Sequence, residues 1–371
     1  MNRLGDYGGP MDALKKWVIG ASVFLCYASV IFSPTGCTSL RLQAEDWPEE
    51  PIAFLHWADK AGQKRAEIFA AVGEIPALPP DPSDPDRFEE LQVRAYLRGD
   101  QIIPIREKLS KYPGTMMLIW PRTGRMERIE AAPYDALPLA WSPDRRRLLM
   151  TSSHRGGREQ LYEYHLERKD LSPITSGWLD HARGRYDADG QVITHQIKRV
   201  TQIGVSENTL HRVTVGGEIG PVLATQIAPG SFALGPGNAQ VIYEQVRLRP
   251  RRNGATVLES WIASQAMTGV GEEALLAKGR EPTLTPDGRW IVFASPTAAG
   301  YRLRRMRLDG TSRVPMGPGG AEERMPTVSP DGEFVAFSHQ VHGRRRLTIR
   351  RFDGKDERAL LTSGWSEYPV W

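Results

Sequence analysis

Two stretches of the chain alternate apolar and polar residues in the same order. Residues 281–293 run Glu281-Pro282-Thr283-Leu284, then Thr285-Pro286-Asp287-Gly288, then Arg289-Trp290-Ile291-Val292-Phe293. Residues 324–337 run Arg324-Met325-Pro326-Thr327-Val328, then Ser329-Pro330-Asp331-Gly332, then Glu333-Phe334-Val335-Ala336-Phe337. Short runs rich in β-branched and aromatic residues on either side of a Pro-Asp-Gly turn read as strand, turn, strand. Pro pre-sets the turn dihedral, Asp caps the turn through its side chain, and Gly takes the positive-φ position. A second turn follows each unit, at Asp309-Gly310 and at Asp353-Gly354. Such a unit cannot bury its own apolar face, so it implies stacked neighbours.

Weaker copies extend the pattern backwards through Gly235-Pro236-Gly237-Asn238, Asp187-Ala188-Asp189-Gly190, Ser142-Pro143-Asp144 and Arg98-Gly99-Asp100. The spacing of roughly 44 to 49 residues suits four-stranded propeller blades. These anchors predict six units, and the two ends of the pattern supply another. Glu367-Tyr368-Pro369-Val370-Trp371 reads as a first strand without its turn, and Trp47-Pro48-Glu49-Glu50-Pro51-Ile52-Ala53-Phe54 reads as the missing turn and second strand. Pairing them would close the ring and leave no open edge. The expectation is an all-β chain: one propeller of four-stranded blades over 47–371, seven in number, closed by its N- and C-terminal strands. Six is the alternative if 81–111 is irregular. The Pro79-Pro80-Asp81-Pro82-Ser83-Asp84-Pro85 run reads as a stiff linker between the first two blades.

The block Ser329-Pro330-Asp331-Gly332 and Phe334-Val335-Ala336-Phe337, with Asp353-Gly354 and Leu360-Leu361-Thr362 after it, resembles the WD40-like repeat known as PD40. That repeat builds the β-propeller of the TolB family. The resemblance implies a periplasmic protein acting through protein contacts. TolB also carries an N-terminal α/β domain for which this pattern leaves no room, so a role in the Tol system is not carried over.

The first 36 residues change the picture of location. Lys15 and Lys16 precede an apolar run at 17–32, and Ser33-Pro34-Thr35-Gly36 leads into Cys37. A charged start, an apolar centre and a small-residue end form a secretory signal, with Met11 as an alternative start. The run is shorter than the ~20 residues of a membrane span. Gly36-Cys37 resembles a bacterial lipobox, although Pro34 stands where that motif usually has Leu. It implies lipidation of Cys37, with 37–46 as a linker; a signal cleaved without lipidation, or kept as an uncleaved anchor, is the alternative. Thr38 in place of Asp favours outer-membrane sorting where the host has one. The two cysteines, both near the N-terminus, exclude a disulfide framework and a cysteine zinc site.

Candidate chemistry is sparse. There is no Gly-x-Ser-x-Gly elbow, phosphate loop or His-Glu-x-x-His, and no cofactor is expected. His339 and His342 make a weak metal pair. Asp144, Asp189, Asp287 and Asp331 recur in one turn of each unit and read as structural caps.

The loops joining second and third strands share one face of a propeller with the links between blades. They carry Arg155 and Arg158, then Arg247, Arg249, Arg251 and Arg252, then Arg344, Arg345 and Arg346. The links carry Thr175-Ser176-Gly177-Trp178 and Thr362-Ser363-Gly364-Trp365. Guanidinium groups pair with carboxylate or phosphate, and indoles stack or bury. The face therefore suits an envelope protein, a peptide or an anionic ligand; the bland alternative is a solvated rim with tryptophans packed between blades. Net charge is only +4, and the export signal disfavours nucleic acid. The expectation is a monomeric, non-enzymatic binding propeller tethered by lipid. An enzyme acting on carbohydrate or peptide at the channel, and a purely structural lipoprotein, are the alternatives.

Overall fold

The computed structural model describes residues 46–59, 64, 113–199, 206–214, 217–225, 231–250, 256–268, 272–297, 300–318, 322–342 and 344–371. The chain divides into two units, and the second, Leu42–Trp371, holds every described residue. The signal, Cys37, the turn at Arg98-Gly99-Asp100 and the proline run at 79–85 fall outside them.

Among the described residues the strands form six antiparallel four-stranded sheets. Blade 1 takes Trp365–Val370 as its inner strand, followed outward by Ile52–Trp57, Thr115–Ile119 and Met126–Arg128. The inner strands of blades 2 to 6 are Leu137–Trp141, Asp180–Tyr186, Phe232–Leu234, Arg280–Leu284 and Glu322–Val328. The second strands of blades 2 to 6 are Arg147–Ser152, Val192–Arg199, Gln240–Pro250, Trp290–Thr297 and Phe334–Val341.

Seven blades were expected, and the register corrects this to six. Ile52 pairs with Ile119 and His56 with Thr115. Residues 115–119 are therefore the third strand of the blade that Ile52–Trp57 already occupies, and they cannot serve a separate unit anchored at Arg98-Gly99-Asp100. The spacing that suggested a blade arises from a long connection inside one hairpin. Ring closure is as expected: Ala53 pairs with Val370 and Trp57 with Trp365.

The second strands have apolar residues at successive positions because both of their faces are covered. Ile52 and Phe54 join Phe334, Ala336 and Trp371 in a buried cluster between blades 1 and 6. Ala53, Leu55 and Trp57 turn the other way, to Trp141, Leu148 and Met150 of blade 2. Four further clusters fill the remaining contacts between neighbouring blades. Each fully buried Leu, Ile or Phe contributes about 1.5–3 kcal/mol.

The turns between inner and second strands work as the aspartates suggested, with one exchange. Ser329 Oγ donates to Asp331 Oδ1 (2.5 Å) and accepts the Phe334 amide (2.9 Å), while Asp331 accepts the Glu333 amide (2.9 Å). Thr285 with Asp287, and Ser142 with Asp144, repeat this. The hydroxyl bond, then the backbone amide, holds the carboxyls of Asp144 and Asp287 below the usual range. In blade 3 the cap is not Asp189. Asp187, in the position of the serine, accepts the amides of Asp189 (3.0 Å) and Gln191 (2.8 Å) and pairs with Arg212 at 3.2 Å. A hydroxyl needs a second acceptor to hold its proton, whereas a carboxylate takes both amides itself, so Asp189 is left without that role.

Successive turns interlock. A Cβ on Gly288, at φ +67°, would lie 2.4 Å from Pro236 Cγ of the preceding blade, so glycine there serves close approach as well as the left-handed backbone.

A buried charge cluster inside blade 6 reaches back to the end of blade 5, where Arg350 Nη1 donates to the Met316 carbonyl at 2.9 Å. The Arg350 side chain, 2% exposed, reaches Glu323 and Glu357 at 2.5 Å each, and His339 Nδ1 lies 3.1 Å from Glu357. Burial pushes the Glu357 carboxyl up, but the bonds from His339 and Arg350 outweigh it and hold the group at about 2. A carboxyl depressed in the fold stabilises above its ordinary pKa and loses that contribution as pH falls. The contribution of Glu357 is thus present above about pH 4.5 and disappears towards pH 2, which a series of melts should show and Glu357→Gln should flatten. Arg350→Ala strands Glu323, 3% exposed, and should cost about 3–5 kcal/mol by denaturant titration. Deleting residues 367–371 opens the edge of Ile52–Trp57 and should lower the melting temperature sharply or leave the protein insoluble; an unchanged melt contradicts closure.

Candidate functional site

The loop between the second and third strands of blade 2, residues 153–159, is held on one side by the link from blade 1 and on the other by the start of the blade 3 inner strand. On one side Asp135 accepts Ser152 Oγ (2.5 Å), the Ser153 amide (2.7 Å) and Ser153 Oγ (2.5 Å). On the other, Asp180 accepts the Glu159 amide at 3.1 Å and pairs with Arg158 at 3.2 Å. Gly156 and Gly157, at φ +75° and +71°, let the chain turn between these anchors. Arg155 is exposed at the tip, and no ion pair is recorded for it among the described residues.

Each anchor sits beside an exposed aromatic ring. Tyr134 precedes Asp135 and is 63% exposed; Trp178, two residues before Asp180, is 71% exposed. No other exposed large apolar residue among those described exceeds 42%, so the two outliers flank a single loop. The Trp178 loop is also well braced. Gln160 Nε2 donates to the carbonyls of Leu179 (2.8 Å) and Gly177 (3.3 Å), and Thr175 Oγ1 donates to Gln160 Oε1 (2.8 Å). Thr175 Oγ1 in turn accepts the Leu161 amide (2.9 Å).

The matching tetrapeptide behaves differently. Trp365 is 6% exposed because it begins the inner strand of blade 1, whereas Trp178 lies in the link before Asp180–Tyr186. The Arg345 guanidinium lies 5.5 Å from the Trp365 ring centre.

The other predicted arginines do not form a ring of free charge. Arg345 sits between Glu322 (3.4 Å) and Glu367 (3.3 Å). Arg344 pairs with Asp59 at 3.4 Å. Arg247 pairs with Glu273, whose other oxygen accepts the Tyr243 hydroxyl at 2.7 Å. Arg346 buries its Nε without a hydrogen-bond partner. Arg251 and Arg252 lie outside the described residues, as does the side chain of Arg249. Among the described residues no group of three or more His, Cys, Asp or Glu could hold a metal ion.

The structure therefore places Arg155 and Arg158 on a loop tied to the segment that carries Trp178, and puts Trp365 and the blade 6 arginines on other blades. Tyr134, Asp135 and Gln160 went unread in the sequence. Their signal was an aromatic-acidic pair, Tyr134-Asp135, just ahead of an inner strand.

No family model matches the sequence, and no curated protein matches it. Among solved structures the chain is similar to TolB from Acinetobacter baumannii, with a TM-score of 0.56 and 16% identity over 87% of this chain and 66% of that one. It is also similar to a protein assigned as TolB from Agrobacterium tumefaciens, with a TM-score of 0.53 and 22% identity over 68% and 91% of the two chains. The fold is that of a TolB-type β-propeller. Hydrazine synthase of Kuenenia stuttgartiensis shares the arrangement, with a TM-score of 0.57 and 12% identity over 87% of this chain and 46% of that one. Identities this low establish the fold alone. The chain spans just under two thirds of the length of the Acinetobacter protein.

The bracing of Trp178 can be checked on its own. Gln160→Ala removes three hydrogen bonds and should lower stability by about 1–3 kcal/mol. Trp178→Ala should leave the melting temperature within a degree, since the ring is buried against nothing it needs.

Proposed function

We propose that this TolB-type propeller is a non-enzymatic binding module of the cell envelope, exported and tethered through Cys37. It recognises a protein or peptide on the face that carries the blade 2 loop. The observation that carries this reading is Trp178, an indole 71% exposed on a loop fixed by several hydrogen bonds. Leaving a large apolar ring in water gives the fold nothing, whereas a rigid exposed tryptophan loses little entropy on binding and is a common centre of interface energy. Tyr134 and Arg155, on the same loop system, extend it into an aromatic and basic patch. The resemblance of the Pro-Asp-Gly repeats to TolB, together with the signal-like leader, favours an envelope protein contact over an enzymatic role.

The test uses a photo-crosslinking amino acid at position 178 in cells, with Arg155→Glu in the same background. A discrete crosslinked partner that weakens at least tenfold with Arg155→Glu is the expected result. Absence of any crosslink, or a pattern indifferent to Arg155, would overturn the assignment of this face and direct attention to turnover of glycans and peptides at the channel.

A further inference from the structure

We propose that Arg183 and Arg185 form a carboxylate-binding site at the axis of the ring, independent of the blade 2 patch.

The inner strand of blade 3, Asp180–Tyr186, breaks register between His181 and Arg183 and then alternates. Gly184 and Tyr186 face blade 2: a Cβ on Gly184 would lie 2.8 Å from Leu149 Cδ2, and the Tyr186 hydroxyl donates to Glu163 at 2.7 Å. Arg183 and Arg185 therefore share the opposite side of the strand, about 7 Å apart along it. Arg185 is fixed in an unusual way. Its Nε donates to the Phe232 carbonyl at 3.0 Å and its Nη1 to the Leu139 carbonyl, so it bridges the inner strands of the two flanking blades.

Both acceptors are neutral. Elsewhere on the inner strands arginines meet carboxylates: Arg280 pairs with Glu244 at 2.8 Å, and Arg324 with Glu281 at 2.5 Å and Glu322 at 3.3 Å. No ion pair is recorded for Arg183 or Arg185 among the described residues. Burial first, and the Arg183 charge second, press the Arg185 guanidinium down to about 10. A second positive charge is thus held beside Arg185, in a place where burial already disfavours the Arg185 charge. The carbonyl bonds explain Arg185 as a tie between blades; nothing in the fold explains Arg183 beside it. Two guanidinium groups on one side of the same strand offer the donors that the two oxygens of a carboxylate need, and a carboxylate there would offset the repulsion and accept charge-assisted hydrogen bonds. The carboxylate could come from a free small acid or from an acidic side chain of a peptide, and the same chemistry serves both.

The test is a melt of the full chain in mild detergent, at ionic strength matched with sodium chloride. The probes are succinate and an end-blocked triglutamate peptide, and the variants are wild type, Arg183→Gln and Arg183→Lys. The expected result is a rise of several degrees in the wild-type midpoint with at least one probe. Arg183→Gln should lose that rise while its own midpoint, without probe, is unchanged or higher. Arg183→Lys should keep part of the rise. A response to succinate identifies a free acid as sufficient, and a response to the peptide alone identifies a chain-borne one. No response beyond sodium chloride, or an equal response in Arg183→Gln, would overturn the site.

Discussion

No blade of this protein can cover itself. Its second strands carry apolar side chains on both faces, as Ile52 and Phe54 on one side and Ala53, Leu55 and Trp57 on the other show. Each sheet is therefore stable only between two others, and a row of sheets under that constraint must become a ring or leave two apolar faces in water. The pairing of Trp365–Val370 with Ile52–Trp57 is the solution the chain adopts. It explains why an otherwise modular repeat ends on a strand belonging to its first blade.

Apolar faces attract without fixing orientation, so a second set of contacts sets how neighbouring blades align. Glu281, Met325 and Tyr368 each take a left-handed backbone just ahead of a proline, at φ +56°, +55° and +55°, where the inner strand breaks register. The freed amides are met across the blade boundary: that of Met325 by Glu281 Oε2 at 2.7 Å, and that of Tyr368 by Met325 Sδ at 3.4 Å. Buried amides need partners. Supplying them from the preceding blade converts a local irregularity into a fixed offset between sheets.

The parts of this architecture that depend on near neighbours were legible in the sequence. The Ser329 to Gly332 turn carries its whole hydrogen-bond set within six residues, and the apolar runs announce strands covered on both sides. The number of blades was not legible, because a long connection between Ile52–Trp57 and Thr115–Ile119 has about the length of a repeat and its own turn-like triplet. The identical Thr-Ser-Gly-Trp tetrapeptides gave no hint that one indole begins a strand and the other precedes one by two residues. The fate of the arginines was equally hidden. Arg345 is neutralised by Glu322 and by Glu367, which belong to different blades and meet only in the ring. Charge read along the chain therefore overstated the free charge of the face, and the exposed rings at Tyr134 and Trp178 became meaningful only once Asp135 and Asp180 were seen to hold the loop between them.

The closing strand also governs the order in which the fold can be completed. His56 Nδ1 lies 3.2 Å from Ser366 Oγ across 310 positions of sequence, a contact that closes a very long loop and so forms late. Until residues 365–370 have emerged, the strand at 52–57 has a bare inner edge, and blades 1 and 6 each present an uncovered apolar face. A nascent chain in that state is a target for holding factors and for pairing with other copies of itself. For this protein, the interval between making the first blade and receiving its last strand is the period of greatest exposure to misassembly.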